Sequence, residues 1–382
     1  MVDAAQAAAH DRRMSPRAAA LAVLLVLTQV AGCGEDPAAG REAILAPPSG
    51  SMTPSPGPPA KPSPTPSPPD LASSLAAPMA TGAPLAAAGP PRFFVTARTA
   101  VVRFPDGSKT ADLTPVPPAV HDAATGRFIA AVPLPPGVES SWKLAAAAPD
   151  NRTFLLSGHT GLGEVRFFRV RLDGNGHPGT PEPVPHSGGK IAGMQPVLAM
   201  SHDGTRFAFA DMLPGGAIVA VVDIATGARR DWSAGEGPAV SGLSWSPDGR
   251  RIAVANGGWG IGELDLAAPG SDLLAATRLV RPMTGMPLLG SVAYTPDGES
   301  LIYSAGHDIE RVPVGGGEPE VLARLSPPRG ASFSIRFDLD GTGRHLLYTQ
   351  DWRLHRTDLR DGSSDSVPIG RPSGGLSPDA TW

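Results

Sequence analysis

The chain has 382 residues, of which 46 are glycine and 44 proline, against a hydrophobic content of 41%. So many turn-forming residues exclude a helical bundle and favour short strands joined by turns. The net charge of −4 implies no basic face, which leaves nucleic acid out of the expected partners.

The chain opens on a targeting signal. Arg12, Arg13 and Arg17 precede an apolar run from Ala18 to Leu27 that continues weakly to Gly32. About 15 residues before Cys33 fall short of the roughly 20 that a membrane span needs, so residues 1–32 read as a secretion signal. Val30-Ala31-Gly32-Cys33 resembles the bacterial lipobox, in which small residues precede a cysteine that receives lipid. Cys33 is the sole cysteine, so no intramolecular disulfide is available. Two readings stand: a cleaved lipoprotein modified on Cys33, or an uncleaved signal anchor, starting at Met1 or Met14. Both tether the remainder to the membrane, outside the cytoplasm of a bacterial cell.

Residues 33–91 read as a linker rich in proline and alanine. Eleven of the 23 residues from Pro47 to Pro69 are proline. Proline fixes φ and removes a donor, so this stretch becomes an extended spacer of roughly 70 Å at about 3.1 Å per residue. A tether for a folded head is the favoured reading over a ligand for a proline-recognising module.

Residues 92–382 are repetitive. Five segments share one grammar, exemplified by GLSWSPDGRRIAVAN and SVAYTPDGESLIYSA, centred on Asp150, Asp203, Asp248, Asp297 and Asp340. Pairs of apolar residues flank each aspartate at a spacing of two, as in Leu243/Trp245 and Ile252/Val254, which puts each pair on one face of a strand. The aspartate and its glycine reverse the chain: glycine takes positive φ and the carboxylate bonds the turn backbone. A second strand pair follows in every unit, as in AIVAVVDIATG. Four strands in about 45 residues describe a β-propeller blade.

The terminal GGLSPDATW resembles the start of a repeat, with Asp379 in the same turn role, and residues 92–104 supply strand without a leading partner. The two ends therefore share one blade, which removes unpaired edges. The expected fold is all-β: a propeller of about six four-stranded blades, or seven if residues 105–128 complete another.

Ser246-Pro247-Asp248-Gly249 after Trp245, with partial matches at Thr295-Pro296-Asp297-Gly298 and Ser377-Pro378-Asp379, resembles the repeat of TolB-like propellers across nearly all of residues 140–382. The TolB family proper works in the Gram-negative envelope with a peptidoglycan-associated lipoprotein, so the resemblance implies this fold and an envelope location. A lipid anchor on the propeller departs from soluble TolB.

Catalytic motifs are absent. Gly242-Leu243-Ser244-Trp245-Ser246 lacks the last glycine of a nucleophile elbow. Nine histidines are scattered singly, and His202 reads as a solvated turn residue. Asp173-Gly174-Asn175-Gly176-His177 opens like a calcium loop but lacks its distal glutamate, so it reads as a turn. Trp259, flanked by glycines, and Trp352 are candidate binding-face loop residues. No cofactor or metal is expected. The leading function is a monomeric, non-catalytic binding or scaffold module for a protein, peptide or cell-envelope ligand. The alternative is a propeller enzyme, lactonase- or lyase-like, with a metal or polar site in its channel.

Overall fold

A computed structural model describes residues 91–97, 100–103, 109–112, 117–135, 138, 140–148, 150–159, 165–185, 197–213, 215–235, 237, 239–283, 289–325, 336–350, 353–369 and 379–381. The signal and linker assignments, Cys33 and Trp352 lie outside these residues.

The first strands in the chain are β1 (Phe93–Ala97), β2 (Ala100–Arg103), β3 (Lys109–Asp112), β4 (Ala119–Asp122) and β5 (Phe128–Ala131). Five blades follow, each built from four consecutive strands. The first holds β6 (Ser140–Ala147), β7 (Thr153–His159), β8 (Val165–Arg171) and β9 (Glu182–Pro183). The second holds β10 (Val197–Met200), β11 (Arg206–Leu213), β12 (Gly216–Asp223) and β13 (Arg229–Ser233). In the third are β14 (Val240–Trp245), β15 (Arg251–Asn256), β16 (Gly260–Asp265) and β17 (Thr277–Pro282). The fourth comprises β18 (Leu289–Tyr294), β19 (Ser300–Ala305), β20 (Asp308–Pro313) and β21 (Glu320–Arg324). The fifth comprises β22 (Phe337–Leu339), β23 (His345–Gln350), β24 (Arg353–Asp358) and β25 (Ser364–Pro368).

The sixth blade is composite. Its order is β26 (Asp379–Thr381), β1, β4, β5, so the last strand of the chain lies innermost and pairs antiparallel with the first. Val95 sits opposite Thr381 and Ala97 opposite Asp379. This register corrects the turn role expected for Asp379. Pairing with β1 draws residues 379–381 into extended backbone.

Six blades, not seven, close the ring. The apolar run 92–104 divides between β1 and β2, and β2 pairs with β3 as a separate hairpin inserted between β1 and β4.

Apolar residues alternate within the inner strands, so each blade presents one set of side chains to either neighbour. The result is one buried cluster at each of the six blade interfaces. Between the first and second blades Phe167 packs on Phe207 and Phe209, with ring centres 4.7 and 5.3 Å apart. Between the second and third, Trp245 is 2% exposed, and its indole N–H donates to Ala199 O at 3.1 Å. Where β14 meets β18 the backbones approach closely: a Cβ on Gly242 would fall 2.7 Å from Gly290 O. Among the described residues, the cluster between the fifth and sixth blades is the smallest, built on Phe94, Leu354 and Ile369.

Candidate functional site

The hairpin turns between the first two strands of the first five blades gather on one end of the propeller. Ser246 shows how they work. Its hydroxyl donates to the Asp248 carboxylate at 2.6 Å and accepts the Arg251 amide at 2.9 Å, while Asp248 also accepts the Arg250 amide at 3.0 Å. Ser201 with Asp203, and Thr295 with Asp297, repeat the arrangement. Asp150 accepts the Arg152 and Thr153 amides, and Asp340 the Arg344 and His345 amides. Burial pushes the Asp248 carboxyl up, but the Ser246 hydroxyl and Arg250 amide outweigh it and hold the group below the usual range. Each of these carboxylates is engaged by the backbone of its own turn.

Neighbouring turns also touch. Gly298 has φ +72°, and a Cβ there would meet the Pro247 ring at 3.3 Å. At the corresponding place in the first blade stands Asn151, with φ 52°. Its Oδ1 accepts the Arg92 and Phe93 amides at 2.7 and 2.9 Å, and its Nδ2 donates to Phe93 O at 2.9 Å. Phe93 therefore begins β1 on the aspartate-turn end.

Side chains also meet in a polar group on the fifth blade. His345 Nδ1 lies 2.8 Å from Asp340 Oδ2, and its Nε2 lies 4.0 Å from Asp358, which Arg344 also binds. Burial acts to raise the Asp340 carboxyl, but His345 and Thr342 outweigh it and the group is lowered. Among the described residues no three His, Cys, Asp or Glu side chains could hold a metal ion.

The opposite end carries the turns between second and third strands. Here Trp259 is half-buried, packed against the cluster of Trp232 and Trp245, and its ring edge would meet a Cβ on Gly262 at 3.2 Å. Its glycine neighbours let the indole fold back over its own hairpin. Asp173 makes a turn, accepting the Asn175 and His177 amides at 2.8 and 2.9 Å. His202 departs from the solvated residue expected: it is half-buried, and burial lowers its pKa.

Sequence reasoning missed Asn151, although an asparagine replacing the recurrent turn glycine is a readable signal. It also missed Glu263, 1% exposed, which accepts the Tyr294 hydroxyl at 2.6 Å and pairs with Arg278. That contact joins two blades and leaves no mark in either repeat alone.

No protein-family model and no curated protein matches the chain. Among solved structures, TolB from Acinetobacter baumannii superposes with a TM-score of 0.52 at 15% identity, covering 77% of this chain and 67% of that one. A TolB candidate from Agrobacterium tumefaciens gives 0.45 at 18% identity, over 64% and 86% of the two chains. A chain of a nidogen/laminin complex gives 0.49 at 14%, over 76% and 97%. The fold is a six-bladed β-propeller, similar to that of TolB from Acinetobacter baumannii.

Proposed function

We propose that this chain is a membrane-tethered, extracytoplasmic propeller that binds a protein, peptide or cell-envelope ligand without catalysing a reaction. The observation that carries the reading is the clasp between Asn151 and the backbone of Arg92 and Phe93. Arg92 and Phe93 enter the propeller on the aspartate-turn end, so a tether through Cys33 is attached there and leaves the opposite end unobstructed. The opposite end is then presented outward, with the Trp259 hairpin, the β2–β3 insertion and the connections between blades. Loops on a rigid scaffold are where binding residues concentrate.

Two experiments test the reading. Purified full chain in detergent, immobilised and exposed to envelope extract, captures a specific ligand, and substitutions in the outward loops reduce that capture. Cys33→Ser leaves the propeller folded but shifts the chain out of the detergent phase. Capture unaffected by loop changes, or unchanged partitioning of the serine variant, overturns the corresponding part. Stoichiometric, tightly held calcium or zinc would favour the enzyme instead.

A further inference from the structure

The aspartate turns of the third and fourth blades each lean on the next blade, and the second residue of the turn makes the contact. Pro247 meets the turn glycine of the fourth blade, where a Cβ on Gly298 would fall 3.3 Å from its ring. Pro296 meets Gly343 of the fifth blade in the same way, at 2.5 Å. The second blade has His202 at this place, in Ser201-His202-Asp203-Gly204. Its hairpin likewise reaches the third blade, where Arg206 Nη2 donates to Gly249 O at 3.4 Å. One seam of the ring therefore carries an imidazole where two others carry a proline ring.

An imidazole changes charge near neutral pH and a proline does not. His202 is half-buried, and its Nδ1 is buried with no hydrogen-bond partner. A neutral ring tolerates this, with its proton on Nε2 and only a lone pair at Nδ1. Protonation puts an N–H donor and a positive charge at the same spot, where no acceptor receives them. The surrounding charges do not offset that cost. Asp203 favours the charged ring, but its carboxylate is held by the Ser201 hydroxyl at 2.6 Å and the Thr205 amide at 3.0 Å, and burial prevails. Arg206, on the same hairpin, is 6% exposed with its own Nη1 buried and unpartnered, so one desolvated cation already lies there, balanced at a distance by Asp203 and Asp223. On the facing turn Asp248 is bound by Ser246 and the Arg250 amide, and Arg250 and Arg251 are exposed cations. On the other side, where Gly204 nears Ala148, the first blade's turn carries Arg152 and Asp150, which accepts its own turn amides.

We propose that His202 is a pH-responsive joint: neutral, it packs the second blade's turn against the third; protonated, it drives that turn outward and loosens this one seam. The imidazolium regains water only by leaving the seam, so charging and opening are coupled. Burial lowers the His202 pKa from its ordinary 6.5, so the stabilisation is complete above about pH 6.5 and is lost as pH falls below it. That window lies well above the one in which carboxylates take up protons. The seams at Pro247 and Pro296 have no such group in the turn contact and stay closed. The joint depends neither on the tether nor on the ligand.

The test compares the full chain in detergent near neutral pH and about one unit below the ordinary histidine value. The thermal midpoint of the parent falls by about 2–3 °C between the two. His202→Pro, which installs the residue of the third and fourth blades, removes the fall, and so does His202→Gln. Hydrogen exchange, corrected for its intrinsic pH dependence, locates the change. The Arg206 and Arg251 amides, bonded to the Ser201 and Ser246 hydroxyls, lose protection roughly threefold or more in acid in the parent and keep it in His202→Pro. The Ser300 amide, bonded in the same way to Thr295, keeps its protection in both. A parent midpoint flat over this range overturns the proposal. So does a fall that survives the substitutions, or an equal loss of protection at Ser300. Should His202→Pro fail to fold, His202→Gln decides alone.

Discussion

Asn151 binds both the amide and the carbonyl of Phe93, and it does so from a left-handed backbone conformation. That conformation costs a non-glycine residue about 1–2 kcal/mol. The side chain makes three hydrogen bonds to the start of β1, each worth about 1 kcal/mol net. The contacts outweigh the strain, and the residue fastens the composite blade to the first.

Asn151→Gly is therefore expected to destabilise by about 1–2 kcal/mol, although glycine suits the local φ better. Denaturant unfolding of both proteins checks it. A glycine variant as stable as the parent would mean that the clasp contributes nothing.

Trp245→Ala empties the centre of the interface between the second and third blades and strands the Arg206 guanidinium, which lies 5.1 Å over the indole. The expected loss is roughly 3–5 kcal/mol. Scanning calorimetry reads it as a lower midpoint, and a shift of only a degree or two would contradict the packing.

Tyr294→Phe removes the hydroxyl that satisfies Glu263, a carboxylate left deep between the third and fourth blades with Arg278 as its remaining partner. Burial pushes the Tyr294 phenol well above its usual range, and the bond to Glu263 adds to that, so the hydroxyl stays protonated and donates. Losing one partner of a buried pair costs about 1–3 kcal/mol. Equal stability of the phenylalanine variant, measured by denaturant midpoint, would show the bond to be dispensable.

Acid should weaken the fold through its turn carboxylates. Arg344 and the Arg360 amide hold the Asp358 carboxyl at about 2, against an ordinary 3.8. Asp203, Asp248 and Asp340 are lowered too, their hydrogen bonds outweighing burial. Folded-state values below unfolded ones mean the stabilisation is present above about pH 4 and is lost as pH falls toward 2. Thermal midpoints across that window should drop, and Asp358→Asn should flatten the drop. A flat profile in the parent would refute the assignment.

Much of this architecture was legible in the residues. The aspartate turns and the paired apolar positions around them repeat through the first five blades, because hairpin register and interface packing impose the same local pattern each time. Trp245 was readable for the same reason. Asp379 was misread because its string matches the turn while its partner strand lies almost 300 residues away. The Trp259 loop was located, but the way its ring folds over Gly262 depends on packing that spacing does not encode. Contacts between blades, such as Glu263 with Tyr294, join residues whose adjacency exists only in the ring.

The innermost strand of the sixth blade lies far downstream of the strand it pairs with. Thr381 can reach Val95 only once everything between them has been made, so β1 waits without its inner partner while the other five blades are assembled. Ring closure is thereby a late step, and its loop-closure cost spans almost the whole propeller.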